Sequence, residues 1–182
     1  TDDRVTGVGV EVALIDATAF ETRGPAVVEV ARDGSAPRID ARGDGAVMAW
    51  RDGAALAVAS VSVTANPRGA HAGAPVRVPA AGSAHDVVSA AGACGAVVVW
   101  RDGDSVRAAG VDVDQGRAGA ATSVVWSPGG AGRVRAARAG DRVLVAADGA
   151  QAVALRALPV GADCATTWAP VAWPAGVAHG AG

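Results

Sequence analysis

The feature that most constrains this chain is self-similarity at a period of about 50 residues. The segment AVMAWRDGAALAVASVSV from Ala46 recurs as AVVVWRDGDSVRAAGVDV from Ala96, so that WRDG stands at Trp50 to Gly53 and again at Trp100 to Gly103. A looser third copy, RVLVAADGAQAVALRALPV from Arg142, keeps Asp148 and Gly149. A repeat of this length is one supersecondary unit that buries its apolar faces by stacking on its neighbours. Each copy reads as a hairpin: an apolar run, a turn at Asp-Gly, then a second run with period-two alternation. A tight hairpin turn needs positive φ, which Gly reaches without a steric penalty and Asp tolerates.

Further strands flank each hairpin. Upstream lie APRIDARGDG from Ala36, AHDVVSAAGACG from Ala84 and GRVRAARAGD from Gly132; downstream lie APVRVPA from Ala74, ATSVVWS from Ala121 and TWAPVAW from Thr167. Four short antiparallel strands per repeat, a to d in chain order, is the sequence shape of β-propeller blades, and no window supports a helix of three turns. RVTGVGVEVAL from Arg4 and PAVVEVA from Pro25 fit strands c and d. The chain is therefore expected to be all-β and to divide into an outer half-blade at 1–33, blades at 34–82, 83–130 and 131–174, and a tail at 175–182. That is an incomplete ring of about three and a half blades. Its open edges invite a second copy, another chain or further precursor sequence to complete it.

Composition narrows the function classes. Hydrophobic residues make up 51% of the 182 positions, but Ala, Val and Gly dominate, with one Phe, no Tyr and five Trp. All sixteen cations are Arg, a bias expected of a GC-rich bacterial genome. The net charge of −2 is spread in both signs along the chain, so no basic stripe is available for nucleic acid. No apolar stretch is long enough to span a membrane, and TDDRVTGV at the start has neither a charged nor an apolar leader region. Cys94 and Cys164 suit either one disulfide or two buried thiols.

Around the WRDG hairpins, at Gly45 to Asp52, Gly95 to Asp102 and Gly140 to Asp148, with Gly73 to Val76, the chain resembles repeats of large secreted and surface proteins of GC-rich bacteria. That resemblance implies a propeller or similar β-array and no single activity. Gly161 to Trp168, GADCATTW, is similar to the Asp-box turn of sialidase-like propellers at Asp163, Thr167 and Trp168, with Gly161 and Ala165 replacing its Ser and Gly. A sialidase also needs a Tyr nucleophile, and the sequence has no Tyr.

No catalytic or metal constellation is expected. Arg42, Gly43 and Asp44 form an RGD triplet that reads as an a-b turn. Asp102 with Asp104, and Asp112 with Asp114, offer oxygen ligands at spacings that make calcium the one candidate cofactor, though a calcium loop converges three or more carboxylates. His71, His85 and His179 are not spaced for zinc. Ser83, His85 and Asp86 are neighbours in sequence, which does not make them converge as a triad. Trp50 and Trp100 are assigned to packing between blades, with Asp52, Gly53, Asp102, Gly103, Asp148 and Gly149 as structural repeat positions. Trp126, Trp168 and Trp173 lie on or near outer strands, where an indole can stack on a sugar ring. Cys94, in an a-b turn, and Cys164, in the c-d turn of the next blade, emerge on one face and can meet if their Cα atoms lie within about 7 Å.

The functional expectation is a non-enzymatic binding or scaffold module of a secreted or cell-surface bacterial protein, with carbohydrate as a ligand class. The alternatives are a fragment of a propeller-type glycan hydrolase or lyase whose active residues lie elsewhere, and a structural polymer subunit.

Overall fold

Runs such as Ala96–Asp102 carry β-branched side chains that pack well on a pleated surface. Gly53 and Gly103 both take φ of 58°, the left-handed value their two-residue turns require. The computed structural model describes residues 9–14, 26–65, 68–80, 84–90, 94–125, 132–148, 153–159 and 164–170; every regular element among them is a strand.

The strands form four antiparallel sheets in chain order. Sheet I pairs β1 (Val10–Leu14) with β2 (Ala26–Ala31). Sheet II runs β3 (Ser35–Arg42), β4 (Gly45–Asp52) and β5 (Ala55–Ala65), with β6 (Arg68–Ala72) and β7 (Val76–Pro79) both paired to β5. Sheet III repeats this with β8 (His85–Ser89), β9 (Ala96–Asp102) and β10 (Ser105–Asp112), and both β11 (Arg117–Ala118) and β12 (Thr122–Val125) on β10. Sheet IV is β13 (Val134–Ala139), β14 (Arg142–Asp148), β15 (Val153–Pro159) and β16 (Ala169–Pro170). None of the sheets closes on itself.

Two features depart from the sequence expectation. The fourth strand of sheets II and III is split, because β6 and β11 precede the strands expected from Ala74 and Ala121. The break has the same chemistry in both: the Gly73 and Gly119 N–H groups donate to the carbonyl oxygens of Ser60 and Gly110, each at 2.9 Å. The third hairpin is also longer. Asp52 pairs with Ala55 and Asp102 with Ser105, whereas Asp148 pairs with Val153, and residues 149–152, including Gly149, lie outside the described residues.

The sheets stack face to face, and period-two alternation divides each strand between two cores. Met48, Trp50, Ala57 and Ala59 of sheet II pack with Val10, Val30 and Ala31 of sheet I. Their neighbours Val47, Ala49, Leu56 and Val58 pack with Val87, Val98, Trp100 and Val111 of sheet III. On the other face of sheet III, Val88, Val97, Val99 and Val106 meet Val134, Val143, Val145 and Ala147 of sheet IV. Because both faces of β9 are covered, its sequence reads as a continuous apolar run instead of an alternating one.

A row of first strands, β3, β8 and β13, is tied together by carboxylates. Asp40 on β3 accepts the N–H of Ser89 on β8 at 2.8 Å, and Asp86 on β8 accepts the N–H of Ala136 on β13 at 2.9 Å. Asp40 pairs with Val47, three residues before Trp50, whereas Asp86 pairs with Val99, one before Trp100. The same link is thus made two residues apart along equivalent strands.

Candidate functional site

The turns that join the strands explain the WRDG tetrad. Arg51 and Arg101 each donate to the carbonyl of the turn glycine two residues on, at 3.2 Å to Gly53 and 3.0 Å to Gly103. The following carboxylates hold arginines of neighbouring strands: Asp52 binds Arg77 at 2.7 Å and Asp102 binds Arg107 at 3.1 Å. Trp50 and Trp100 are buried, each facing the preceding sheet. The Arg107 guanidinium lies 5.9 Å from the centroid of the Trp100 ring, within cation–π range.

On one end of the stack, the loop between the first two strands of one sheet meets the loop between the third and fourth strands of the next. Between sheets II and III this meeting is an ion pair, Arg42 to Asp114 at 2.7 Å. Between sheets III and IV it is the disulfide Cys94–Cys164, with Cα atoms 5.3 Å apart. The hydrogen bond from Arg42 holds the Asp114 carboxyl below its ordinary pKa and raises that of Arg42 in turn. Cys164 takes φ of 65° and lies against Gly110 and Gly119; a Cβ on Gly119 would come within 2.6 Å of the Cys164 carbonyl oxygen. Close backbone approach is the reason for glycine at both positions. Thr122 and Thr166 share a hydrogen bond of 2.7 Å across the same boundary.

The RGD triplet is therefore a turn whose Arg42 is engaged, with Gly43 at φ of 56°. Three of the four aspartates considered for calcium are paired with arginines: Asp102 with Arg107, Asp112 with Arg117 at 3.3 Å and Asp114 with Arg42. Among the described residues no three His, Cys, Asp or Glu side chains are grouped as a metal site. His85 is buried on β8 and His71 exposed on β6, while Ser83 and His179 lie outside the described residues. His85 and Asp86 point to opposite faces of their strand, as adjacent strand residues must. Trp168 packs on the core between sheets III and IV; Trp126, Trp173 and Asp163 lie outside the described residues.

A surface groove of about 640 Å³ lies between β7 of sheet II and the split fourth strand of sheet III. Arg77, Arg107, Pro75, Pro79 and Gly119 line it, with backbone around them. Sequence reasoning missed this groove, because it arises from the strand break at Gly119, which has no periodicity signal. Its described lining residues include no nucleophile, carboxylate or imidazole, and their charged groups are the guanidiniums of Arg77 and Arg107, which pair with Asp52 and Asp102. No helix among the described residues is long and apolar enough to cross a membrane. No protein-family profile, curated protein or solved structure matches the chain.

Proposed function

We propose that the chain is a non-enzymatic binding or scaffold module of a secreted or cell-surface bacterial protein, its sheets serving as β-propeller blades and its loops and grooves as the contact surface. The observation that carries this reading is the succession of meander sheets stacked in chain order, with their first strands linked by Asp40 and Asp86. Rigid strands that hold variable loops are a common basis for recognition. The disulfide Cys94–Cys164 is compatible with an oxidising, extracellular setting. Carbohydrate is the ligand class proposed, bound without turnover. The test is titration of the purified chain against neutral and acidic glycans, with product analysis by mass spectrometry. Saturable binding with the glycan recovered intact is expected; shortened glycan would overturn the non-enzymatic reading, and no binding to any glycan would overturn the ligand class.

A further inference from the structure

The same face of two equivalent strands meets opposite fates. Ile39 pairs with Met48, two residues before Trp50, and Val87 pairs with Val98, two before Trp100, so the two hold one register position. Val87 is 3% exposed and Ile39 is 56% exposed. The contrast extends along the strand: His85, Val87 and Ser89 are all buried, whereas Pro37, Ile39 and Ala41 are all exposed. The cause is visible in sheet I. Where sheets II, III and IV begin with two further strands, sheet I has only β1 and β2 among the described residues, and β1 pairs with β2 alone. Among the described side chains, the core between sheets I and II covers Met48 and Trp50 and includes none from β3.

We infer that this face of β3, with the edge of β1 that has no partner strand among the described residues, is the docking surface for a β-hairpin from a partner polypeptide, and that the hairpin's first strand carries a carboxylate. The inference rests on the blade reading above. It extends an interface already present twice, since β3 covers β8 and β8 covers β13 through an Asp carboxylate on a backbone N–H. Ala41 holds the register position of Ser89, and Ile39 that of Ala136, counted back from the turns at Gly43 and Gly140. Their N–H groups are the ones a partner carboxylate would accept. Among the described first strands of a second copy none is free to supply it, because β3 and β8 already use Asp40 and Asp86, and β13 has Arg135 and Ala137 at the positions of Asp86 and Asp40. Neither side chain has an acceptor. The mode is strand addition, in which backbone pairing gives affinity and alternate side chains give selectivity.

The test uses the intact 182-residue chain, isotope-labelled, and a head-to-tail cyclised peptide of residues 35–52, the chain's own hairpin that bears Asp40. Circular dichroism first establishes that the peptide is strand-structured, since free hairpins are marginal in water. Saturable shifts at β1 and β3 are expected, with exchange of the Ile39 and Ala41 amides slowed by roughly tenfold or more. Asp40→Ala in the peptide should weaken binding roughly tenfold. Ile39→Asp in the chain should abolish binding with an unchanged melting temperature, because Ile39 already faces water. Absence of binding by the structured peptide overturns the inference. So does slow exchange at Ile39 and Ala41 in the chain alone, which would mean that the face is already covered, or a dimer in light scattering that Ile39→Asp dissociates. Glycan binding retained by Ile39→Asp separates failure of this inference from failure of the binding-module reading.

Discussion

The boundary between sheets II and III and the boundary between sheets III and IV join the same strands in the same order, yet they are secured by different means. The first contains Trp100 and Leu56 in its core and closes its loops with the exposed ion pair Arg42–Asp114. In the second, the buried core side chains among the described ones are Val and Ala, with Ala147 at the position of Trp100, and the equivalent loops are closed with a disulfide. The assignment of Ala147 follows from the register, since Trp100 pairs with His85 and Ala147 with Val134 on equivalent strands. Where large side chains fill the space between sheets, a weak surface contact suffices at the rim. Where the described core side chains are Val and Ala, a covalent link holds the loops, and Trp168 packs against the core.

The comparison can be broken most forcefully at Trp100. Trp100→Ala should cost about 3–5 kcal/mol, the range for emptying a well-packed aromatic site, read by urea or thermal denaturation. Next is the disulfide: Cys94→Ala with Cys164→Ala should cost about 2–5 kcal/mol, and reduction of the wild-type chain should match it. If the double variant melts with the wild type, the second boundary does not depend on its covalent link. Asp86→Ala, which strips a charged acceptor from the Ala136 amide, should cost about 1.5–3 kcal/mol, and Asp40→Ala a similar amount at the other boundary.

The smallest effect belongs to the ion pair, where Arg42→Ala should cost no more than about 1 kcal/mol and less in high salt. Its pH dependence has a definite sign. Asp114 has a depressed folded pKa, so its contribution is present above the unfolded value of about 4 and is lost as pH falls through the folded value. Arg42 is raised and stays protonated throughout that window. Melting curves between neutral and acidic pH should therefore converge for the wild type and Asp114→Asn at the acid end only.

The hairpins at Trp50–Gly53 and Trp100–Gly103 were legible because turn chemistry and apolar alternation are local. The third copy misleads, because Asp148 and Gly149 match the tetrad by letter while the structure sets Ala147, not Ala146, at the position of Trp100. A one-residue slip exchanges the two faces of a strand, and a longer turn hides it in the sequence. The split outer strands were illegible for a related reason: Arg117–Ala118 is too short to show any period. The candidate contacts were legible as residue types but not as partners. Asp40, Asp86, Arg42 and Asp114 look like ordinary charges on strands and turns, and their roles arise from neighbours 49, 50 and 72 positions away.

The central claim is that β3, β8 and β13 stand side by side in that order, each linked to the next by a carboxylate. Residue-resolved hydrogen exchange of the Ser89 and Ala136 amides in Asp40→Ala and Asp86→Ala variants tests it directly. Asp40→Ala should accelerate exchange at Ser89 and leave Ala136 unchanged, and Asp86→Ala should do the reverse. Unaltered exchange at both amides, or acceleration at both in either variant, would contradict it.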